Sequence, residues 1–539
     1  MSSVVPRAVF VPILLAVLGI DAGAGTITVS KTGALKTIQS GVNAAGPGDT
    51  VIVKAGTYRE NVTIPTGKDN LELDAKDGVV IDALPTGGAP AGPGIVVDSP
   101  GVTISGFEIR NAQVDTGPYP ACGILGLKSQ LLVKNCRICS CRGQAVFALP
   151  ADGDKVKDST IENNDAGLEL TGSGVQISNV VIHRAPEKAI RIVGDGAQVK
   201  RCDVRGIEGL GVDIFGDDAL VEDNEFESIH NGAIEVNGAS ALVQNNVLTN
   251  VANNGIWVTG DGPEVVKNTV NGCALAGIGV FGGGGSGGKV KKNVVTDCER
   301  GGIVVVAPDI DVTKNVISFI DGEALSVSSV GGLVQSNEIR DVIDGIGMSL
   351  EGDALEVRDN EVKDVNGGHV GIQIGGAIGA TIAGNDVART SSHGYFVATG
   401  CSDCVIEDNS ATDCGNGFEH GFRIEGPNHM VRANSAKRCY GDGFNVQSAD
   451  HVVLDGNTSE ENGQDGIDVS SGVGIVVKNN TVKSNHAEGI ENSAPGATVT
   501  NNVSKKNRTD YADDSGGASY SGNVSSDGTD AAPAAPEID

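Results

Sequence analysis

Between residues 417 and 469 the chain reads GFEHGFRIEG, then GDGFNV, then DGIDV. Each stretch sets an ionisable residue and a glycine ahead of an apolar–polar–apolar triplet. These residue types suit proton abstraction next to a carboxylate, as in β-elimination or epimerisation of a uronate. His420 would act as base, because imidazole titrates near neutral pH. Arg423 would fork onto the substrate carboxylate. Asp442, Asp465 and Asp468 offer hard oxygen ligands, so Ca²⁺ is the one cofactor expected, although nothing in the sequence demands it. If two of those aspartates were instead acid and base, the chemistry would be glycoside hydrolysis. His393 and Asn445 fall at matching positions and are expected to bind substrate. A second set lies upstream: Glu169, Lys188, Arg191, Asp213, Glu235 and Trp257. There the only tryptophan is expected to stack on a sugar, with Asp213 and Glu235 as substrate ligands.

Elements that place these residues must recur, because the chain does. From Asn224 a V-x-x-N-x-V pattern returns at Asn246, Asn268, Asn293, Asn315, Asn337, Asn360, Asn385, Asn409, Asn434, Asn457, Asn480 and Asn502, in steps of 22 to 25 residues. Upstream, the same slot is assigned to Cys136, Ser159, Ser178 and Cys202. About nine residues after each asparagine comes a second short strand, usually G-I-x-V. Alternating apolar residues mark strands with one buried face, and Gly, Asn and Asp between them mark turns. No gap holds a helical crossover in every repeat. Two or three short strands per coil therefore wind into an all-β, single-stranded, right-handed parallel β-helix, with the asparagines stacked as a ladder.

In G-I-x-V the Ile and Val point inward and x points out. Successive x residues include Asp213, Glu235, Trp257, Gly347, Phe396, Arg423, Asn445, Asp468 and Glu491. Neighbours in that series are ~4.8 Å apart. Twelve residues rather than nine separate Asn409 from Gly421, so an insertion sits beside the polar cluster.

Composition agrees with a thin solenoid. Of 539 residues, 78 are glycine and only 3% are aromatic, which suits a core of Val, Ile and Leu. A net charge of −30 excludes nucleic acid as a partner, since phosphate binding needs clustered Lys and Arg. Residues 1–24 read as a cleavable signal peptide, with Arg7, an apolar run and small residues at Ala22 and Ala24. The mature chain is expected to be secreted or periplasmic, monomeric and without a membrane segment. The expected division is an N-terminal strand and capping helix at 25–50, the β-helix at 51–510, and a cap with a polar tail at 511–539. Cys273 with Cys298, and Cys414 with Cys439, stack on adjacent coils with side chains pointing the same way, which favours free thiols over bridges.

The segment KTIQSGVNAAGPGDTVIVKAGTYRENVTI resembles the opening of secreted right-handed β-helix proteins of the pectate-lyase-like superfamily. The resemblance implies a short amphipathic cap, with Leu35, Ile38 and Val42 on one face, followed by the first coil. It implies the fold rather than an activity, since the superfamily holds lyases, hydrolases, esterases, epimerases and non-catalytic proteins. The epimerase Tyr-Gly-Phe-Asp-Pro-His run and the polygalacturonase Gly-His-Gly motif have no counterpart here. Two functions remain: binding or processing of an acidic polysaccharide, lyase- or epimerase-like; or a non-catalytic surface or periplasmic β-helix with a structural or glycan-binding role.

Overall fold

The computed structural model describes residues 24–84, 92–113, 121–283, 285, 287–526 and 528–529. The expected leader lies outside the described residues except for Ala24, as does the chain beyond Thr529. Three strands make each coil, and the strands pair in parallel with their counterparts one coil on, apart from Gly528–Thr529, which pairs antiparallel with Val524–Ser525 at the far end. One coil consists of Leu333–Gln335, Glu338–Val342 and Met348–Glu351, which pair with Glu356–Arg358, Glu361–Val365 and Ile372–Ile374 of the next. The first of the three sheets contains 22 strands. It opens with Thr26–Val29 on Thr50–Val53, and Ser519–Ser521 pairs on Thr498–Thr500 at its far end.

In-register pairing stacks like on like. Val334 sits between Val312 and Val357, all buried, and Ile339 between Ile317 and Val362. Each such side chain removed from water contributes ~1.5–3 kcal/mol. One helix, Ile38–Ala44, closes the N-terminal end. Thr37 caps it by accepting the Ser40 N–H, and Ile38, Gly41 and Val42 face the core. A Cβ at Gly41 would lie 2.4 Å from Val29, so only glycine lets the helix lie this close on the first strand.

All thirteen asparagines of the repeat are buried and joined. From Asn246 on, each side-chain oxygen accepts the backbone and amide N–H of the preceding asparagine, while that of Asn224 accepts the Cys202 N–H, and each amide also donates to a valine, isoleucine or leucine carbonyl in the first strand of the preceding coil. For Asn337 these bonds are 2.8–3.0 Å. The ladder continues to Asn523, which the pattern had not reached. Ser178 does not occupy the slot: it ends the strand Gln176–Ser178, and Val180, fully buried, fills the position. A second column runs five residues after the first. It holds Cys273 on Cys298 and later Cys439, Asn462, Asn485 and Asn507, the last four linked by amide hydrogen bonds. All eleven cysteines are buried and free.

Among the described residues no helix is long and apolar enough to cross a membrane.

Candidate functional site

The third sheet presents the x residues outward in one column. Phe396, Arg423, Asn445, Asp468 and Glu491 pair in register, as do Asp213, Glu235 and Trp257. Gly347 is displaced from it: Ser349 is the residue in register with Ser326, because Met348 rather than Ile346 faces the core.

Around the downstream part of this column the surface sinks into a cleft of ≈ 530 Å³. His393, His420, Arg423, Asp442, Asn445, Asp465 and Asp468 all line it. Residues the sequence reading did not assign join them: Phe418 and Glu419 from the insertion, Gln464 and Glu488. The insertion forms a rim. Glu419 folds back to accept the Asn416 N–H at 3.2 Å, and Phe418 is left 79% exposed beside the opening. The lengthened spacing before Gly421 was the signal for both.

A backbone rule explains why polar residues stand before each glycine. His393 Nδ1 accepts the His420 N–H at 2.9 Å, His420 Nδ1 accepts that of Asp442 at 3.1 Å, and Asp442 accepts that of Asp465 at 2.9 Å. Asp465 in turn accepts the Glu488 N–H at 2.7 Å. The two imidazoles stack, with centroids 5.2 Å apart.

These contacts set protonation. With Nδ1 occupied as an acceptor, neutral His393 carries its proton on Nε2. Burial, aided by His420 and Arg423, pulls its pKa down to about 4. His420 differs, since its Nδ1 also lies 3.0 Å from Asp442 Oδ2. A bare Nδ1 uses the Asp442 N–H and a protonated one uses the carboxylate, so either form has a partner. Burial, the charge of Asp442 and a hydrogen bond with Glu491 push Asp465 up to about 9. Burial raises Asp468 to about 6 against the hydrogen bond from Ser470. Asp465 therefore keeps its proton at neutral pH.

Arg423 holds Glu425 through Nε at 2.8 Å and Nη2 at 2.6 Å, and its guanidinium lies over Phe396 at 5.5 Å. The edge expected to fork a substrate carboxylate faces Glu425, which leaves Nη1. The acidic residues close enough to share a cation are Asp465, Glu488 and Glu491, within 4.8 Å of one another. Asp442 and Asp468 turn instead to the Asn445 amide, at 3.2 and 2.7 Å. A carboxyl that retains its proton is a poor calcium ligand, so this set fits the ion weakly.

Trp257, Asp213 and Glu235 stand apart, six coils or more upstream on the same sheet. Asp213 is 1% exposed and ties Lys188 Nζ at 2.5 Å and Arg191 Nη1 at 3.5 Å. The Trp257 ring stacks on Phe281 at 4.3 Å.

Three solved structures are similar at low identity. The A-module of a mannuronan C-5 epimerase from Azotobacter vinelandii is similar at 16% identity and a TM-score of 0.25, over 86% of this chain and 94% of that one. A pectate lyase is similar at 14% identity and 0.30, over 54% and 79%. The catalytic domain of an α-1,3-glucanase is similar at 13% and 0.32, over 55% and 66%. Among curated proteins no sequence matches at a significant level. The family described as the right handed beta helix region matches in overlapping segments, 89–220, 166–308, 210–362, 307–425 and 416–529. Those segments take in most of the sequence, and the chain belongs to the right-handed β-helix family.

Proposed function

We propose that the 393–491 cleft processes an acidic polysaccharide by removing the proton next to a uronate carboxylate. One observation carries this reading: a histidine set 3.0 Å from a carboxylate shares the cleft with a buried carboxyl, Asp465, whose pKa burial and neighbouring carboxylates push up to about 9. His420 and Asp465 are two coils apart, roughly 10 Å, with Asp442 between them, so a sugar ring laid over Asp442 reaches both. In the tautomer whose Nδ1–H turns from the Asp442 N–H to the Asp442 carboxylate, His420 Nε2 is free to take the C5 proton, and Asp442 stabilises the imidazolium. Neutral Asp465, whose proton is held by Glu491 in the free protein, turns it to the substrate carboxylate as charge develops there. Its neutrality, and that of part of the Asp468 population, also lowers the repulsion a uronate would meet. In elimination the C5–H electron pair forms C4=C5, the C4–O4 bond breaks, and the leaving oxygen takes a proton. In epimerisation a proton returns to the opposite face of C5. The exposed Phe418 ring offers a sugar-stacking surface at the rim. We place the mature protein outside the cytoplasm, in keeping with the leader read from residues 1–24.

The test is incubation with polygalacturonate and alginate in D₂O. Expected is either the ultraviolet absorbance of an unsaturated product or deuterium at C5. His420→Asn keeps an acceptor for the Asp442 N–H but removes the base, and should lower turnover at least ~10²-fold without changing melting. If the parent neither makes the product nor exchanges C5 on either polymer, the catalytic reading fails.

A second reading has its own observation. The His393–His420–Asp442–Asp465 series satisfies backbone N–H groups, as Asn254 does for Ala276 in the same column. On that basis the protein would be a non-catalytic β-helix that only binds glycan, and the polymers would bind with no turnover.

A further inference from the structure

Upstream on the catalytic-side sheet two adjoining hollows, of ≈ 430 and ≈ 200 Å³, share Leu210 and Asn231 and together reach from Glu169 to Trp257. We propose that this surface is a second binding site, for a polysaccharide chain recognised through sugar ring faces and hydroxyls rather than through net charge. It rests on the polysaccharide reading above but not on catalysis.

The floor is apolar, with Leu168 and Leu210, while Glu169, Lys188, Arg191 and Asn231 stand around it. Sugars match such a lining, having apolar ring faces edged with hydroxyls. The cations are held in place. Lys188 and Arg191 both converge on Asp213 Oδ2, and the guanidinium also lies over Phe215 at 5.3 Å. Asp213 Oδ1 is buried with no hydrogen-bond partner among the described residues, so this carboxylate serves only to aim the two donors. Preorganised donors lose little freedom on binding.

Trp257 borders the smaller hollow, and its position depends on a glycine. A Cβ at Gly279 would come within 2.5 Å of the indole, so the ring lies across the bare backbone of the next coil and against Phe281. An aromatic ring laid along the sheet offers a stacking platform. From there to the cleft the outward column reads Gly279, Val304, Ser326, Ser349, Gln373 and Phe396, without a charge. Six coil steps span roughly 29 Å. A polymer lying along the axis can therefore touch both sites, and an oligomer of one or two sugars cannot. Charge plays little part, because Glu169, Glu187, Asp213 and Glu235 outnumber the two cations.

Trp257 is the only tryptophan, so its fluorescence reports this site and not the distant cleft. Titration with polygalacturonate, alginate and xylan should give a saturable change with at least one polymer. That change should survive high salt, persist in His420→Asn, and weaken roughly tenfold or more in Arg191→Gln. Gly279→Ala should shift the emission of the free protein by displacing the ring and should weaken binding. Turnover without any tryptophan response overturns the second site and leaves the cleft reading intact. A tryptophan response without turnover supports it and removes catalysis. A response abolished by His420→Asn, or by salt, also overturns it, since binding would then occur at the cleft or through charge alone.

Discussion

Replacing Asn337 with leucine, which is close in shape, isolates the energetic role of the asparagine ladder. Asn337 Oδ1 accepts the backbone N–H of Asn315 at 3.0 Å and its amide at 2.9 Å, and its own amide donates to Val312 O at 2.8 Å and Asn360 Oδ1 at 2.9 Å. Leucine leaves two buried donors on Asn315 without acceptors. Each orphaned donor costs about 1–3 kcal/mol, so the pair costs about 2–6 kcal/mol. Burying the leucine side chain returns about 1.5–3 kcal/mol. Central values of about 4 and about 2 kcal/mol leave a net expected loss of about 2 kcal/mol, read as a lower urea midpoint. Because coils contact only their neighbours, the loss should also be local. Hydrogen exchange should quicken at the Asn315 amide and adjoining coils, while the coils near Val51 stay protected. A midpoint within about 0.5 kcal/mol of the parent, with the Asn315 amide still protected, would refute the reasoning.

Asp465 should make stability fall as pH rises. An unfolded aspartate titrates near ~3.9, whereas the folded one is pushed up to about 9, so the folded chain holds the extra proton between those values and loses that advantage as pH climbs. His393, drawn down to about 4, acts the other way only below ~6.5, where the unfolded chain binds the proton more readily. From pH 6.5 to 9 the melting temperature should therefore decline, and Asp465→Asn should flatten that decline; an unchanged slope would contradict it. Arg423→Ala should lower the unfolding free energy in a urea titration by about 1–3 kcal/mol, because it strands the largely buried Glu425, whereas Arg423→Lys should cost less. Alkylation after unfolding without reductant should label Cys273, Cys298, Cys414 and Cys439, and protection of either stacked pair would show a bridge.

The solenoid was legible because its periodicity is written in residues that must be buried. An asparagine every 22 to 25 residues, flanked by alternating valines, has no reason to recur unless neighbouring coils place it in one column. Errors fell where that signal thins. At 178–180 the slot holds valine, and a nearby serine imitated a polar ladder residue. At 345–349 the G-I-G-M run offered two phases, and only the burial of Met348 decides between them. The column of Asn462, Asn485 and Asn507 escaped notice because its upstream members are mostly cysteines and aliphatic residues, with Asn164 and Thr390 as isolated polar exceptions.

The cleft was legible for a different reason, and the same reason bears on what it does. Its members stand before glycines on successive coils, where the backbone requires only an acceptor for one N–H. Asparagine meets that need at Asn254, with no charge to bury. Coils 393 to 488 use two histidines, two aspartates and a glutamate instead. That choice carries a cost asparagine would avoid, since burial pulls the pKa of His393 down and pushes that of Asp465 up. The scaffold alone does not call for it. Groups whose proton affinities are driven apart in one cleft are what acid–base chemistry requires. The insertion at the same coils adds Glu419 and an exposed Phe418 that no ladder uses. Scaffold and site therefore share these residues: the coil decides where they stand, and their ionisable character is the part left for function to explain.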